Sequence, residues 1–241
     1  MIAGYPDFET SLETARALVA GGASSLEIQF PFSDPSADGP AIQAACTEAL
    51  TAGFKVEQGW RLVEAVRKEF PTVPSFLMSY ASIVVTKGVE AFVVRAKEAG
   101  VEGLIIPDLA PGSDEGLYAA GKKYGLAIVP VIVPSVPKDR LDFILALKPA
   151  WVYTAIRAGI TGTHTTLTPG LKSFLGELNA RTRVMAGFGI DSPDQVRDLV
   201  GTVHTIVVGS ALVRAVAAST RQGGKAAVRR DLEKKVKELV G

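Results

Sequence analysis

Short apolar runs alternate with longer stretches in which apolar residues recur every three or four positions. The runs occupy residues 26–30, 75–79, 104–106, 127–133, 151–154, 183–186 and 205–208, with Ile2-Ala3 as the stub of an earlier one. Runs of this length, rich in β-branched residues, read as strands covered on both faces. The stretches between them read as amphipathic helices. Residues 11–19 place Leu12, Ala15, Leu18 and Val19 on one face, and residues 56–70 do the same with Trp60, Val63, Val66 and Phe70. Further helices are expected at 41–50, 89–99, 114–124, 138–147, 171–179 and 192–199, and a short one at 211–218. The punctuation agrees. Gly21-Gly22, Gly100 and Gly125 follow helical patterns, where a left-handed cap is favoured, and Ser192-Pro193-Asp194 opens one. Strand and helix in strict alternation imply a parallel sheet. Eight strands, counting Ile2-Ala3, predict a closed (β/α)₈ barrel (TIM barrel) in the α/β class, as a single domain over residues 1–241. An open doubly wound sheet is the alternative that the pattern leaves standing.

Composition narrows the function classes. The chain has 241 residues, the usual scale for one α/β barrel, and a formal net charge of +1. Such a balance offers no concentrated basic face for nucleic acid or an anionic membrane. The pairs Arg229-Arg230 and Lys234-Lys235 are interleaved with Asp231 and Glu233 and read as a solvated helix face. The single cysteine, Cys46, allows no internal disulfide and no zinc spacing, so no metal site is expected and a reducing, cytoplasmic setting is. It falls in the small-residue helix 41–50 and reads as a buried structural thiol. Neither a leader peptide nor a membrane-spanning segment is expected.

A barrel of this class carries its chemistry at the C-terminal strand ends and the loops that follow. Glu27 interrupts an apolar run there. Alternation puts Glu27 and Gln29 on one strand face and Leu26, Ile28 and Phe30 on the other, so the polar pair should face the barrel interior. A carboxylate in so dry a place is either an acid–base group with a raised pKa or a salt-bridged core residue. The following loop, residues 31–40, is stiffened by Pro31, Pro35 and Pro40 and holds Asp34 and Asp38. Asp34, before a proline, reads as a turn residue. Asp38, before Gly39, is free to face the pocket, although spacing alone equally allows a backbone cap. Late glycines mark a candidate anion site: Arg157-Ala158-Gly159-Ile160-Thr161-Gly162 after the sixth strand, Gly187-Phe188-Gly189 after the seventh, and Gly209-Ser210 after the eighth. Glycine turns at those ends, followed by a short helix, let backbone N–H groups approach a phosphate. Tyr80, Tyr153 and Asp108 also end strands. His164 reads as exposed, and His204 lies on the opposite, stability face.

Taken together, these residues resemble one family, the α subunit of tryptophan synthase. The stretch 26–43, with its Pro-Phe-Ser-Asp-Pro and Ala-Asp-Gly-Pro blocks, is similar to that family's signature around two catalytic acids, and support continues through Met78-Ser79-Tyr80, Pro107-Asp108-Leu109 and the late glycine turns. The resemblance implies a lyase that cleaves indole-3-glycerol phosphate to indole and glyceraldehyde 3-phosphate. It implies Glu27 as proton donor to the indole ring and Asp38 as the carboxylate on the indole N–H. Tyr153, Tyr80 and Thr161 are implied at the substrate, and Gly162, Gly189, Gly209 and Ser210 at its phosphate. The stretch from Arg157 to Thr168 resembles a loop that closes over substrate. No cofactor is implied on this chain. Pyridoxal phosphate belongs to the family's partner, a β subunit, in an αββα tetramer. Three departures stand out. The helix that usually precedes strand one is lacking. Gln29 stands where glycine is usual, placed to crowd the pocket or to hydrogen-bond Glu27. Ser82 stands where asparagine is common.

Overall fold

The computed structural model describes residues 1–156, 167–187 and 189–241. Among these, all strand pairings are parallel and form two four-stranded sheets. The first holds β1 (Leu26–Gln29), β2 (Ser75–Met78), β3 (Gly103–Ile105) and β4 (Ala127–Ile128) in that order. The second holds β5 (Val131–Ile132), β6 (Trp151–Ala155), β7 (Arg183–Gly187) and β8 (Thr205–Ile206). Ile2 adds one further parallel bridge, to Gln29, on the free side of β1. The predicted strand at 127–133 is one chain run that serves both sheets. Its first half reaches back, with Val129 N–H donating to Leu104 O at 2.8 Å, and its second half reaches forward, with Tyr153 N–H donating to Pro130 O at 2.9 Å. Pro130, which has no N–H to offer, sits at the handover.

Strand alternation sorts the apolar residues into layers. Phe76, Met78, Ile105, Val129, Trp151, Tyr153 and Met185 pack together as the barrel lining. Their neighbours Leu26, Ile28, Leu77 and Leu104 on one side, and Val152, Val184 and Ala186 on the other, pack outward under the helices. The register pairs Glu27 with Phe76 and Gln29 with Met78, which puts both polar side chains in phase with the lining.

The helices match the sequence pattern closely: α1 (Phe8–Ala20), α2 (Pro40–Thr51), α3 (Val56–Glu69), α5 (Val89–Glu98), α6 (Leu117–Tyr124), α7 (Lys138–Ala146), α8 (Pro169–Asn179) and α9 (Pro193–Leu199). Local chemistry starts several of them. The Asp7 carboxylate accepts from Thr10 N–H at 2.7 Å before α1, and Ser192 and Gln195 form a reciprocal box at the start of α9. Two differences from the pattern are informative. A seven-residue helix, α4 (Ala81–Lys87), had no periodic signal, because Ala-Ser-Ile-Val-Val-Thr-Lys is β-branched at its centre. Its first N–H, at Ala81, is taken by Asp108 Oδ1 at 2.9 Å, a partner 27 residues away. The last helix, α10 (Ser210–Val240), runs far beyond residue 218 and bends at Gly223-Gly224, where Gly224 takes φ +62°.

The outer layer joins the two ends of the strand sequence. The second part of α10 lies along α1, burying Val228, Leu232 and Val236, with Arg229 Nη1 3.2 Å from Glu13 Oε2. Gly21, just past α1, fits there because a methyl group would meet Val236 and the Glu233 carbonyl.

On α3, Gly59 makes room for the Phe30 ring, which is fully buried and meets Trp60 edge-on at 5.0 Å. A β-carbon at Gly59 would sit 2.5 Å from that ring. Gly59→Ala is therefore expected to lower stability by about 1–2 kcal/mol despite its better helix propensity. Urea denaturation checks this, and an unchanged or raised midpoint would show that Phe30 has room to shift.

Candidate active site

Glu27 enters the site from the middle of β1. Its Oε2 is closed off from solvent and has no hydrogen-bond partner among the described residues. The surroundings explain the dryness: Glu27 lines a largely apolar cavity of about 530 Å³ with Phe76, Met185 and Val207, running along β8. Burial pushes its carboxyl up to about 7, against a partial offset from the Met1 ammonium, while the negative charge of Asp38 adds to the rise. The Met1 ammonium itself donates to the Glu27 carbonyl at 2.6 Å. The salt-bridged core alternative for Glu27 finds no ion pair among the described residues.

Asp38 arrives from the loop after β1 and is only 5% exposed. Spacing allowed a backbone cap or a place in the pocket, and among the described residues its side chain is bonded by other side chains and caps no backbone N–H. Its Oδ2 accepts two short hydrogen bonds, from Gln29 Nε2 and from the Tyr80 hydroxyl, both at 2.6 Å. Its Oδ1 carries none among the described residues. Gln43 Nε2 donates to the Asp38 carbonyl at 2.8 Å and ties the loop to α2. Burial raises the Asp38 carboxyl above its usual range, and the bonds from Tyr80 and Gln29 work against that rise. The two acids therefore sit in unlike surroundings: Asp38 is held by donors, and Glu27 is left to protonate. Asp34 stays outside the pair, exposed and bonded to Ser33.

Tyr80 stands at the start of α4, fully buried, with its ring stacked on Phe32 at 5.2 Å. Expected at the substrate, it bonds Asp38 directly. Gln29 differs from its expectation in the same way, since its amide reaches Asp38 and leaves Glu27 alone. Asp108 caps α4 behind Tyr80. Tyr153 projects from β6 into the lining, close enough that Glu27 and Asp38, after burial, push its hydroxyl well above the usual tyrosine range. Gly187 on β7 has no side chain because the Tyr153 hydroxyl occupies that place. Cys46 on α2 is buried, its thiol pushed up to about 11 by burial.

On the other side of the strand ends, Gly189 takes φ +93°, and its carbonyl accepts from Gln195 Nε2 at 3.1 Å. Gly209 and Ser210 open α10, with no side-chain cap and no acidic residue in the first turn. That arrangement leaves N–H groups and the positive helix end available to an anion. Thr161, Gly162 and His164, with the rest of residues 157–166, lie outside the described residues. His204 lines the same cavity as Glu27, with its ring edge-on to Trp151 at 4.8 Å. Ser82 is exposed in the first turn of α4. Among the described residues no group of three or more His, Cys, Asp or Glu is arranged to hold a metal, and no helix is long and apolar enough to cross a membrane.

The fold is a parallel α/β barrel of the enzyme class, and it holds two buried carboxyl groups, on β1 and in the loop that follows, in unlike surroundings. Residues 1–240 match the family described as Tryptophan synthase alpha chain. The tryptophan synthase alpha chain of Helicobacter hepaticus is 40% identical over 230 residues, covering 92% of this chain and 86% of that one. The alpha chain from Lacticaseibacillus casei is 38% identical, covering 92% and 84%. Among solved structures, the tryptophan synthase complex from Pyrococcus furiosus matches with TM-score 0.87 at 30% identity over 100% of this chain and 96% of that one. Tryptophan synthase from Mycobacterium tuberculosis matches with TM-score 0.85 at 30% identity over 100% and 91%. The chain belongs to the tryptophan synthase alpha chain family, and it is a lyase of tryptophan biosynthesis that carries out the α reaction on indole-3-glycerol phosphate.

The raised carboxyl of Glu27 ties stability to pH. Its folded value of about 7 lies above the ordinary 4.5, so its contribution is whole below about pH 4.5 and is lost as pH rises through 7. Glu27→Gln keeps the shape and removes the titration. The variant is expected to gain on the wild type between pH 5 and pH 8, by on the order of 1–3 kcal/mol. Thermal unfolding at both values checks this, and an equal difference at the two pH values would contradict it.

Proposed function

We propose that Glu27 and Asp38 divide the retro-aldol cleavage of indole-3-glycerol phosphate between them. Glu27 gives its proton to the ring carbon that bears the glycerol chain. The ring then holds positive charge at its nitrogen and becomes the electron sink. Asp38, through Oδ1, accepts the indole N–H and stabilises that charge. The Glu27 carboxylate then takes the proton of the neighbouring side-chain hydroxyl. The carbon–carbon bond breaks, its electron pair returns to the ring, and indole and glyceraldehyde 3-phosphate separate. One observation carries this reading: a carboxyl held near pKa 7, with an oxygen that has no partner among the described residues, beside an aspartate held by two donors. Such a carboxyl is half protonated at neutral pH and can both give and take a proton.

The remaining roles follow from position. Tyr153 lines the indole end, and Tyr80 serves the site through Asp38. Gly189, Gly209 and Ser210 hold the phosphate on backbone N–H groups. Gly162 is assigned to the phosphate as well and Thr161 to the substrate, both outside the described residues. The two carboxyls supply acid, base and charge stabilisation, so the reading assigns no cofactor to this chain. A β subunit carrying pyridoxal phosphate is the proposed partner in an αββα assembly, in keeping with the complexes among its structural relatives. The chain acts as one domain in the cytoplasm, a setting supported by its one buried, unpaired cysteine.

Glu27→Gln is expected to lower indole formation by about 10²–10⁴-fold while leaving the binding of substrate intact. In the wild type, kcat/KM should fall as pH rises above about 7, because only the protonated Glu27 starts the reaction. Assaying indole release from indole-3-glycerol phosphate, with and without a β subunit, tests both. Near-full activity in the variant would remove Glu27 from its role.

A further inference from the structure

We propose that Gln29 is a positioning residue of this lyase: its Nε2 and the Tyr80 hydroxyl together occupy Asp38 Oδ2 and leave Oδ1 as the acceptor for the indole N–H. The inference rests on the reading of Asp38 given above and adds a residue to it. Gln29 is 2% exposed, and its amide has one short polar contact, 2.6 Å to Asp38 Oδ2, with the Cys46 sulfur at 4.0 Å. It shares a strand face with Glu27, two residues on, so a single strand orients both acids: Glu27 directly and Asp38 through the amide. Tyr80 approaches the same oxygen from the start of α4. A carboxylate with both donors on one oxygen is fixed in rotation, and its second oxygen is aimed.

The clamp has an electrostatic consequence. A carboxylate this deeply buried tends to protonate, and a protonated Asp38 would lose its charge and accept the indole N–H poorly. Two donors on Oδ2 favour the anion. Among the described residues, the other titratable and charged groups around Asp38 are Glu27 on β1, Cys46 on α2, Tyr80 at α4, Tyr153 on β6 and the Met1 ammonium. At neutral pH Cys46, Tyr80 and Tyr153 are uncharged, because burial pushes each of them up. The acid limb of the pH–rate profile then reports Asp38, and Gln29 helps keep that limb low.

The test compares wild type with Gln29→Leu and Gln29→Glu, which keep the bulk of the side chain. Gln29→Leu removes the donor. Its acid limb in kcat/KM should move up by about one pH unit. At pH 7 its kcat should fall about tenfold with KM little changed, since the charge on the indole nitrogen develops in the transition state. Gln29→Glu sets a second carboxyl against Asp38 and should move the limb further. Adding Tyr80→Phe to Gln29→Leu should give a non-additive loss, because the two donors share one acceptor. Uniform loss of kcat/KM with an unmoved acid limb would reduce Gln29 to packing and overturn the proposal. A separate measurement keeps it distinct from the lyase reading. Carbon-13 titration of Asp38 in the ligand-free chain should show a higher pKa in Gln29→Leu than in wild type. An Asp38 pKa unchanged in every folded Gln29 variant, Gln29→Met included, sinks the clamp whatever the activity. A wild-type chain that releases no indole would sink the mechanism proposed above and leave the clamp standing.

Discussion

A carboxylate inside an apolar barrel is costly unless it is bonded or neutral, and this protein places two of them there. Asp38 takes the first solution, with two donors on one oxygen and its backbone carbonyl tied to α2. Glu27 takes the second, with a carboxyl raised to about 7 and an oxygen that no described residue meets. The lining of Phe76, Tyr153 and Met185 is what makes both solutions necessary. An exposed pair of acids would titrate together near their ordinary values and could not split acid work from charge stabilisation.

That arrangement depends on the phase of β1. A slip of one residue would turn Glu27 and Gln29 out under the helices and bring Ile28 and Phe30 into the site. The phase is secured on both sides. Leu26, Ile28 and Phe30 are buried against α1, α2 and α3, and the Phe30 ring lies over Gly59. In the ladder, Ile2 bonds one edge of β1 and β2 the other. The packing of aromatic rings outside the barrel thus decides where the proposed proton donor sits inside it.

The outer helices hold the strands where the ladder is short. β8 has two residues and Ile2 contributes a single bridge, so the long α10 lying along α1 carries much of the join. The same helix begins at Ser210, capped by Gly209, which lies close to Ile42 of α2. One element therefore supplies both the proposed phosphate end and part of the frame. Relatives at about a third identity keep this architecture, with TM-scores of 0.85 and 0.87, because strand alternation constrains residue type and leaves residue identity freer.

Much of this was legible in the residues. Alternation within 26–30 determined which side chains face inward, and eight apolar runs separated by amphipathic stretches predicted a parallel sheet, with the open sheet left standing beside the closed barrel. The Ser192-Pro193 start of α9 and the glycine stops were local chemistry and read as such. Asp38 was harder. Spacing left it between turn and pocket, and only its likeness to a family motif placed it at the chemistry. What the chain could not show was pairing at a distance. The helix α4 has no periodic signal, since its first N–H is capped by Asp108 from 27 residues on. Gln29 was expected to meet Glu27 or crowd the pocket, and its partner is Asp38. The physical reason is the same in both cases. Strand phase and helix period are set by neighbours along the chain, whereas the choice of hydrogen-bond partner is set by which loop the closed barrel brings within 3 Å.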